Sequence, residues 1–195
     1  MEPQPSAPPV VAVVVTCDPG PWFEEALDSL AAQDYPNLSV LIIDSGSLED
    51  PTQRVAAVLP DAYVRRLNRR LGYGRAVNAA IEVVEGASHF LLCHDDVALA
   101  PDAARLLVEE AYRSNAGIVS PKVMEWDRPG RLQAVGLGAD KVGAVHNMVD
   151  PGELDQEQHD AVRDVFVAPG CACLVRSDLF SSLGGYDPDV EQFGE

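Results

Sequence analysis

Basic residues are scarce in this sequence. Fourteen Lys and Arg stand against 31 Asp and Glu, for a net charge of −17. Binding a nucleic-acid polymer needs clustered cations against phosphate, so the charge argues against that class of partner. It leaves a small nucleotide open, because a divalent cation can bridge carboxylates to phosphates. Most of the acids simply keep the chain soluble. Cysteine is also rare: Cys17, Cys93, Cys171 and Cys173 are the four. The C-x-C spacing of the last two has no matching pair elsewhere, which is not a zinc-ribbon pattern. Reduced thiols of a cytosolic protein are the expectation, with a Cys171–Cys173 bridge as the less favoured alternative. No stretch is long and apolar enough to span a membrane. The opening "MEPQPSAPP" lacks the positive and apolar regions of a secretory signal, and its prolines predict a disordered tail over 1–9. The expected location is cytoplasmic, with membrane association only through regions outside this sequence. No internal repeat is visible.

What is present is ordinary globular material. The 195 residues are 47% hydrophobic and 23% charged, enough for one domain with a real core. "VVAVVVTC", from Val10 to Cys17, is a continuous β-branched run, the pattern of a strand buried on both faces. "DPGP" breaks it, and "WFEEALDSLAAQ" carries apolar residues at helical spacing. "LSVLIID" is a second strand and Thr52 to Leu59 a short helix opened by Pro51. "AYVRRL" is a weaker third strand, "GYGRAVNAAIEVV" a glycine-rich turn into a helix, and "HFLLC" a fourth strand. "DAARLLVEEAYR" is the next helix and "AGIVSPKV" a fifth strand. Strands alternating with helices predict an α/β fold with a mostly parallel sheet and helices on both faces. After Val123, short apolar runs with glycines predict a smaller irregular region: a hairpin, an acidic loop, then a strand and a helix from about Ser177. The division reads as a binding region over 10–124 and a covering region over 125–195.

Parallel sheets bind ligands at the carboxyl ends of their strands. Polar residues gather there: Thr16 and Asp18, Asp44 with Ser45 and Ser47, Asn68, and Asp95 with Asp96. Asp44, beside Gly46, is expected to be exposed on that rim. The stretch "FLLCHDDVALAPDA" ends an apolar strand on two adjacent carboxylates, which repel unless a cation or donor sits between them. Mg²⁺ or Mn²⁺ suits such a pair, since these ions take one or two carboxylates plus substrate phosphates. The alternative is a helix-capping cluster, weakened because Asp102 is better placed to cap the following helix.

These pieces together resemble the family 2 glycosyltransferases. "VTCDPGPWFEEALDSLAAQDYP" looks like the family's opening, and "LIIDSGS" like its V-D-x-G-S strand end. "NRRLGYGRAVNAAI" is similar to an N-x-G-x-x-x-A-x-N stretch, and "HDDVALAPD" resembles the D-x-D region followed by P-D. "CLVRSDLFSSLGGYD" resembles the segment that leads to GG-[FY]-D. The resemblance implies the GT-A nucleotide-sugar-binding fold and inverting transfer from a UDP- or dTDP-linked sugar to a hydroxyl acceptor. The acceptor would be a cell-envelope glycan or lipid-linked saccharide, and Mg²⁺ or Mn²⁺ the cofactor. It assigns Thr16 and Asp18 to the base pocket, and Asp44, with Ser45 beside it, to the base or ribose. Asn68, Gly72, Arg75 and Asn78 would border the nucleotide and diphosphate. Asp95 would bind ribose or sugar and Asp96 the metal. His94 occupies the first D-x-D position, a departure from the pattern. Gly184, Gly185, Tyr186 and Asp187 would wall the acceptor or sugar side.

The family's general base lies in an E-D motif shortly after GG-[FY]-D. Glu195 matches the Glu of that motif, and the Asp would follow it. The expectation is therefore a fragment that binds donor but lacks its base. Two other readings are weighed: a non-catalytic nucleotide-sugar-binding module, and a sugar nucleotidyltransferase. The latter would show a G-x-G-T-R loop where this chain has "TCDPGPW".

Overall fold

Seven residues of β-branched and small apolar type, Val10–Thr16, form β1 at the middle of the sheet. A computed structural model of the chain describes residues 7–190. Along the chain follow α1 (Phe23–Ala31), β2 (Leu38–Asp44), α2 (Thr52–Val58), β3 (Tyr63–Arg66), α3 (Tyr73–Ile81), β4 (His89–His94) and α4 (Ala103–Ser114). Then come β5 (Ile118–Val119), β6 (Val123–Met124), β7 (Leu132–Ala134), β8 (Leu137–Ala139), β9 (Val145–Asn147), β10 (Ala172–Arg176) and α5 (Ser177–Leu183). The main sheet has the order β3-β2-β1-β4-β10-β5. β1, β2, β3 and β4 run parallel, while β10 is antiparallel to both β4 and β5. The mostly parallel α/β sheet expected from the sequence is the fold observed.

Each face of the sheet carries its own core. On one side Phe23, Leu27 and Leu30 of α1 and Leu107 and Val108 of α4 pack with Val14, Ile42 and Leu91. On the other, Ala76, Val77 and Ala80 of α3 and Phe180 of α5 pack with Val13, Ile43 and Leu92. Val13, Ile42, Ile43, Leu91 and Leu92 are fully buried. Each such side chain contributes about 1.5–3 kcal/mol by leaving water. This two-sided burial is why the strands read as unbroken apolar runs rather than alternating ones.

Three local features differ from expectation. The tail predicted disordered over 1–9 is held at its described end. Tyr35 Oη donates to the Pro8 carbonyl (2.6 Å), Asn37 Nδ2 to that of Ala7 (2.7 Å) and the Ser88 amide to that of Pro9 (2.8 Å). Proline lacks an amide proton, but its carbonyl still accepts. "AGIVSPKV" is not one strand. β5 stays at the sheet edge and β6 leaves to pair with β7, with Pro121 between them unable to donate to a ladder. Asp102 stands at the start of α4 but its side chain does not cap it. Gln33, just after α1, does: its Oε1 accepts from the Ala104 amide (2.9 Å) and its Nε2 donates to the Ala100 carbonyl (2.8 Å). All four cysteines are free thiols. Among the described residues no helix is long and apolar enough to cross a membrane.

Candidate functional site

The parallel register sets Thr16 beside Asp44 and Val15 beside His94. Three strands therefore deliver their terminal polar residues to one rim, the edge where such sheets take ligands. The side chains there fall into three groups.

At the β1–β4 corner, Thr16 Oγ1 donates to Asp95 Oδ2 at 2.5 Å. Thr16 is 1% exposed, so it supports the rim from below rather than lining a base pocket. Burial raises the Asp95 pKa above the usual carboxylate value, the Thr16 hydrogen bond opposes that, and the Asp96 charge adds to it. Asp96 is outermost, its side chain 55% exposed, with His94 Nδ1 4.0 Å from its Oδ1. The His94 ring stacks at a tilt on Tyr73, centroids 4.5 Å apart. His94 Nε2 and Tyr73 Oη are both buried without a hydrogen-bond partner. His94 thus turns one edge to Asp96 and packs the other against α3.

At the β2–β3 corner the expectation for Asp44 is overturned. Its side chain is wholly buried. Arg66, its register partner on β3, donates Nε to Oδ2 at 2.6 Å, and the Ser47 amide donates to Oδ1 at 3.0 Å. Ser47 Oγ in turn accepts from the Asp18 amide (2.8 Å), and Asp18 Oδ1 accepts from the Leu48 amide (2.7 Å). Asp44 therefore braces the loops after β1 and β2 from inside. Asp18, in the left-handed region at φ 53°, is the acid of this group at the surface, and Arg70 Nη1 lies 3.7 Å from its Oδ2. Ser45 is buried as well. Its hydroxyl donates to the Leu71 carbonyl (2.9 Å) and accepts from the Leu71 amide (2.8 Å). Gly46 sits at φ +78° under this crossing, where a Cβ would come within 2.7 Å of the Arg70 backbone nitrogen. So "DSGS" and "NRRLG" are stitched together, and Asn68 and Gly72 of the second segment are exposed.

The third group joins α3 to the segment after α5. Asn78 Nδ2 donates to the Tyr186 carbonyl (2.8 Å) and its Oδ1 accepts from the Tyr186 amide (2.9 Å). Arg75 Nε donates to the Pro188 carbonyl (2.8 Å). These two side chains hold the "GGYDP" segment onto α3. Gly184 and Gly185 take left-handed conformations at φ 82° and 79°, closing the turn after α5. Tyr186 packs on Tyr73 and Phe180, and Asp187 is exposed beyond it. Glu195 lies outside the described residues.

Arg54, Arg66 and Arg70 are the site residues that motif reading missed. Arg54 donates to the carbonyls of Pro19 and Gly20 (both 2.9 Å) and pairs with Glu24, clamping the loop after β1. The scarcity of basic residues in so acidic a chain is the signal: Arg66 ends β3 and Arg70 follows it, while Arg54 on α2 reaches back to the loop after β1.

Among the described residues no three His, Cys, Asp or Glu side chains converge as a metal cage. The donor set that is present, the exposed Asp96 carboxylate beside half-buried Asp95, suits the other mode of Mg²⁺ and Mn²⁺. In that mode one or two protein carboxylates share the ion with substrate phosphates. A cavity of about 950 Å³ lies between α4 and the 159–168 segment, but none of the rim residues lines it. Volume alone does not locate the site.

Residues 11–184 match the family described as Glycosyl transferase family 2. An N-acetylglucosaminyl-diphospho-decaprenol L-rhamnosyltransferase of Mycobacterium tuberculosis is 28% identical over 199 residues, covering 92% of this chain and 64% of that protein. The succinoglycan biosynthesis protein ExoO of Rhizobium meliloti is 33% identical over 113 residues, 57% of this chain and 32% of the relative. Among solved structures, S. aureus TarS 1-349 in complex with UDP superposes with a TM-score of 0.68 at 18% identity, over 95% of this chain and 52% of that one. The mannosyltransferase PcManGT from Pyrobaculum calidifontis, in complex with GDP-Man and Mn²⁺, gives 0.63 at 22% identity, over 96% and 52%. At such identities these structures establish the GT-A fold. The chain spans about two thirds of the mycobacterial relative and half of the superposed chains.

Proposed function

The chain belongs to glycosyl transferase family 2, and from that premise we propose that it moves a sugar from a UDP- or dTDP-linked donor to a hydroxyl of a lipid-linked or cell-envelope saccharide. The acceptor class is supported by the diphospho-decaprenol in the mycobacterial relative's name, and the donor class by the UDP of the TarS complex. Acceptors of that kind favour work at the cytoplasmic face of a membrane. The observation that carries the reading is the pair at the β4 end, Asp95 held by Thr16 and Asp96 left open at the rim.

The transfer proposed is a direct displacement with inversion. The acceptor oxygen forms a bond to the anomeric carbon as the bond from that carbon to the diphosphate oxygen breaks. The acceptor proton passes to a carboxylate base, a step that typically contributes 10²–10⁴-fold in rate. Asp95 accepts a hydrogen bond from a ribose or sugar hydroxyl. Asp96 would be the side chain that holds a divalent cation. Bound there, Mg²⁺ or Mn²⁺ supplies Lewis-acid neutralisation of the departing diphosphate. Asp18 and Arg70 border the nucleotide, and Asp187 with the Gly184–Gly185 turn borders the acceptor side.

Calorimetry with UDP and dTDP, in Mn²⁺ and in EDTA, tests this. Nucleotide should bind with Mn²⁺ and at least tenfold more weakly without it, and Asp96→Asn should erase the difference with an unchanged melting temperature. Equal affinity in EDTA and Mn²⁺ would remove the metal role.

A further inference from the structure

We propose that Thr16 is a positioning residue: through its hydrogen bond to Asp95 it aims the carboxylate on which donor binding depends, without itself touching the donor. The inference rests on the family reading of Asp95 as a donor-binding residue.

Thr16 ends the central strand and is 1% exposed, out of reach of a ligand at the rim. Its backbone carbonyl accepts from the Ser45 amide at 2.8 Å, which ties it to the loop after β2. Its β-branched side chain has few rotamers open to it. The hydroxyl is thus presented in one direction, and Asp95 Oδ2 stands there at 2.5 Å. That length belongs to the short, charge-assisted O–H···O⁻ class. An ionised carboxylate only accepts, so the proton is Thr16's to give.

Asp95 is half-buried, so its inner oxygen needs a hydrogen-bond partner within the protein. The Thr16 hydroxyl is that partner and occupies one oxygen, and the other is the one the proposal gives to the ligand. Thr16 is the residue that lets two adjacent carboxylates take different tasks, one turned inward and fixed, the other turned outward for a cation.

The test uses Thr16→Val, which keeps the shape and removes the donor, and Thr16→Ser, which keeps the donor. Affinity for UDP and dTDP in Mn²⁺ is measured on the full chain by calorimetry, with melting temperature in parallel. Loss of a hydrogen bond to a charged group typically costs about 10–100-fold. Thr16→Val should weaken nucleotide binding by about that range, and Thr16→Ser should stay within about threefold of the parent on the same scale. In an Asp95→Asn background, Thr16→Val should add less than about threefold, because the two act as one unit. Three results overturn the inference while leaving the donor site intact: wild-type affinity in Thr16→Val, an equal loss in Thr16→Ser, or a full loss persisting in the Asp95→Asn background. A parent chain that binds neither nucleotide with Mn²⁺ overturns the donor reading of Asp95, and this role with it.

Discussion

His89 shows what a single buried side chain contributes. It opens β4, is 5% exposed, and lies opposite Arg176 in the β4–β10 register. Ser88 Oγ is 3.0 Å from its Nδ1, and the Tyr112 ring packs on it at 5.6 Å. Burial, and then the Arg176 charge, lower its pKa below the ordinary 6.5, while Asp178 opposes them weakly. The folded protein therefore holds His89 neutral at a pH where the unfolded chain is already protonated. Because the unfolded state binds the extra proton, stability falls as pH drops through about 6.5 toward the lowered folded value. Urea titrations at pH 7.5 and 5.5 should show this loss in the parent and a smaller one in His89→Gln. An identical pH dependence in both would mean that the titrating group is elsewhere. Asp44 teaches the complementary lesson. A carboxylate with an arginine and an amide on its two oxygens serves the loops that carry the site before it can serve a ligand.

Between elements, the contact to watch joins α3 to the turn after α5. The Asn78 side chain pairs with both backbone groups of Tyr186, as another peptide would. A Cβ on Gly185 would lie 2.2 Å from Asn78 Oδ1, at a φ of +79° that disfavours other residues in any case. Asn78→Ala should cost about 1–3 kcal/mol, because it removes the side chain to which both Tyr186 backbone groups bond. Gly185→Ala should cost a similar amount, about 1–2 kcal/mol from the left-handed conformation with the clash added. Removing Asn78 also removes that clash. The double variant should therefore be less destabilised than the sum of the single ones, as expected for residues in contact. Strict additivity in urea unfolding would show that the two sites do not meet as described. The clasp explains why an asparagine on α3 and a Gly-Gly turn more than a hundred residues later accompany each other in this chain. The α4 cap follows the same logic, since Gln33, just after α1, fills it in place of the local Asp102.

Across the whole molecule, two cores share one sheet. Leu91 belongs to the α1–α4 side and Leu92 to the α3–α5 side, and both are fully buried. Leu91→Ala and Leu92→Ala should each cost about 2–5 kcal/mol. Each should also shift one common transition, because neither layer keeps a sheet to pack on once the other is lost. Far- and near-ultraviolet circular dichroism would follow this, and a separate transition in either variant would mean that the layers unfold independently. The sequence by itself determined β1 to β4, their parallel arrangement and the rim. Unbroken runs such as Val10–Thr16 and Leu38–Asp44 need burial on both faces, and only a helix-covered sheet provides that. It also determined which loops carry polar groups, since these follow directly from where the apolar runs stop. The tertiary structure alone decided which of those groups face outward. Thr16, Asp44 and Ser45 are turned inward, and Asp18 and Asp96 outward. Arg75 and Asn78 are committed to the "GGYDP" segment. The physical reason is that a polar side chain takes whichever partner the register and the crossing elements bring within hydrogen-bond reach. For Asp44 that partner is Arg66, and for Asp95 it is Thr16, neighbours only because parallel strands lie side by side.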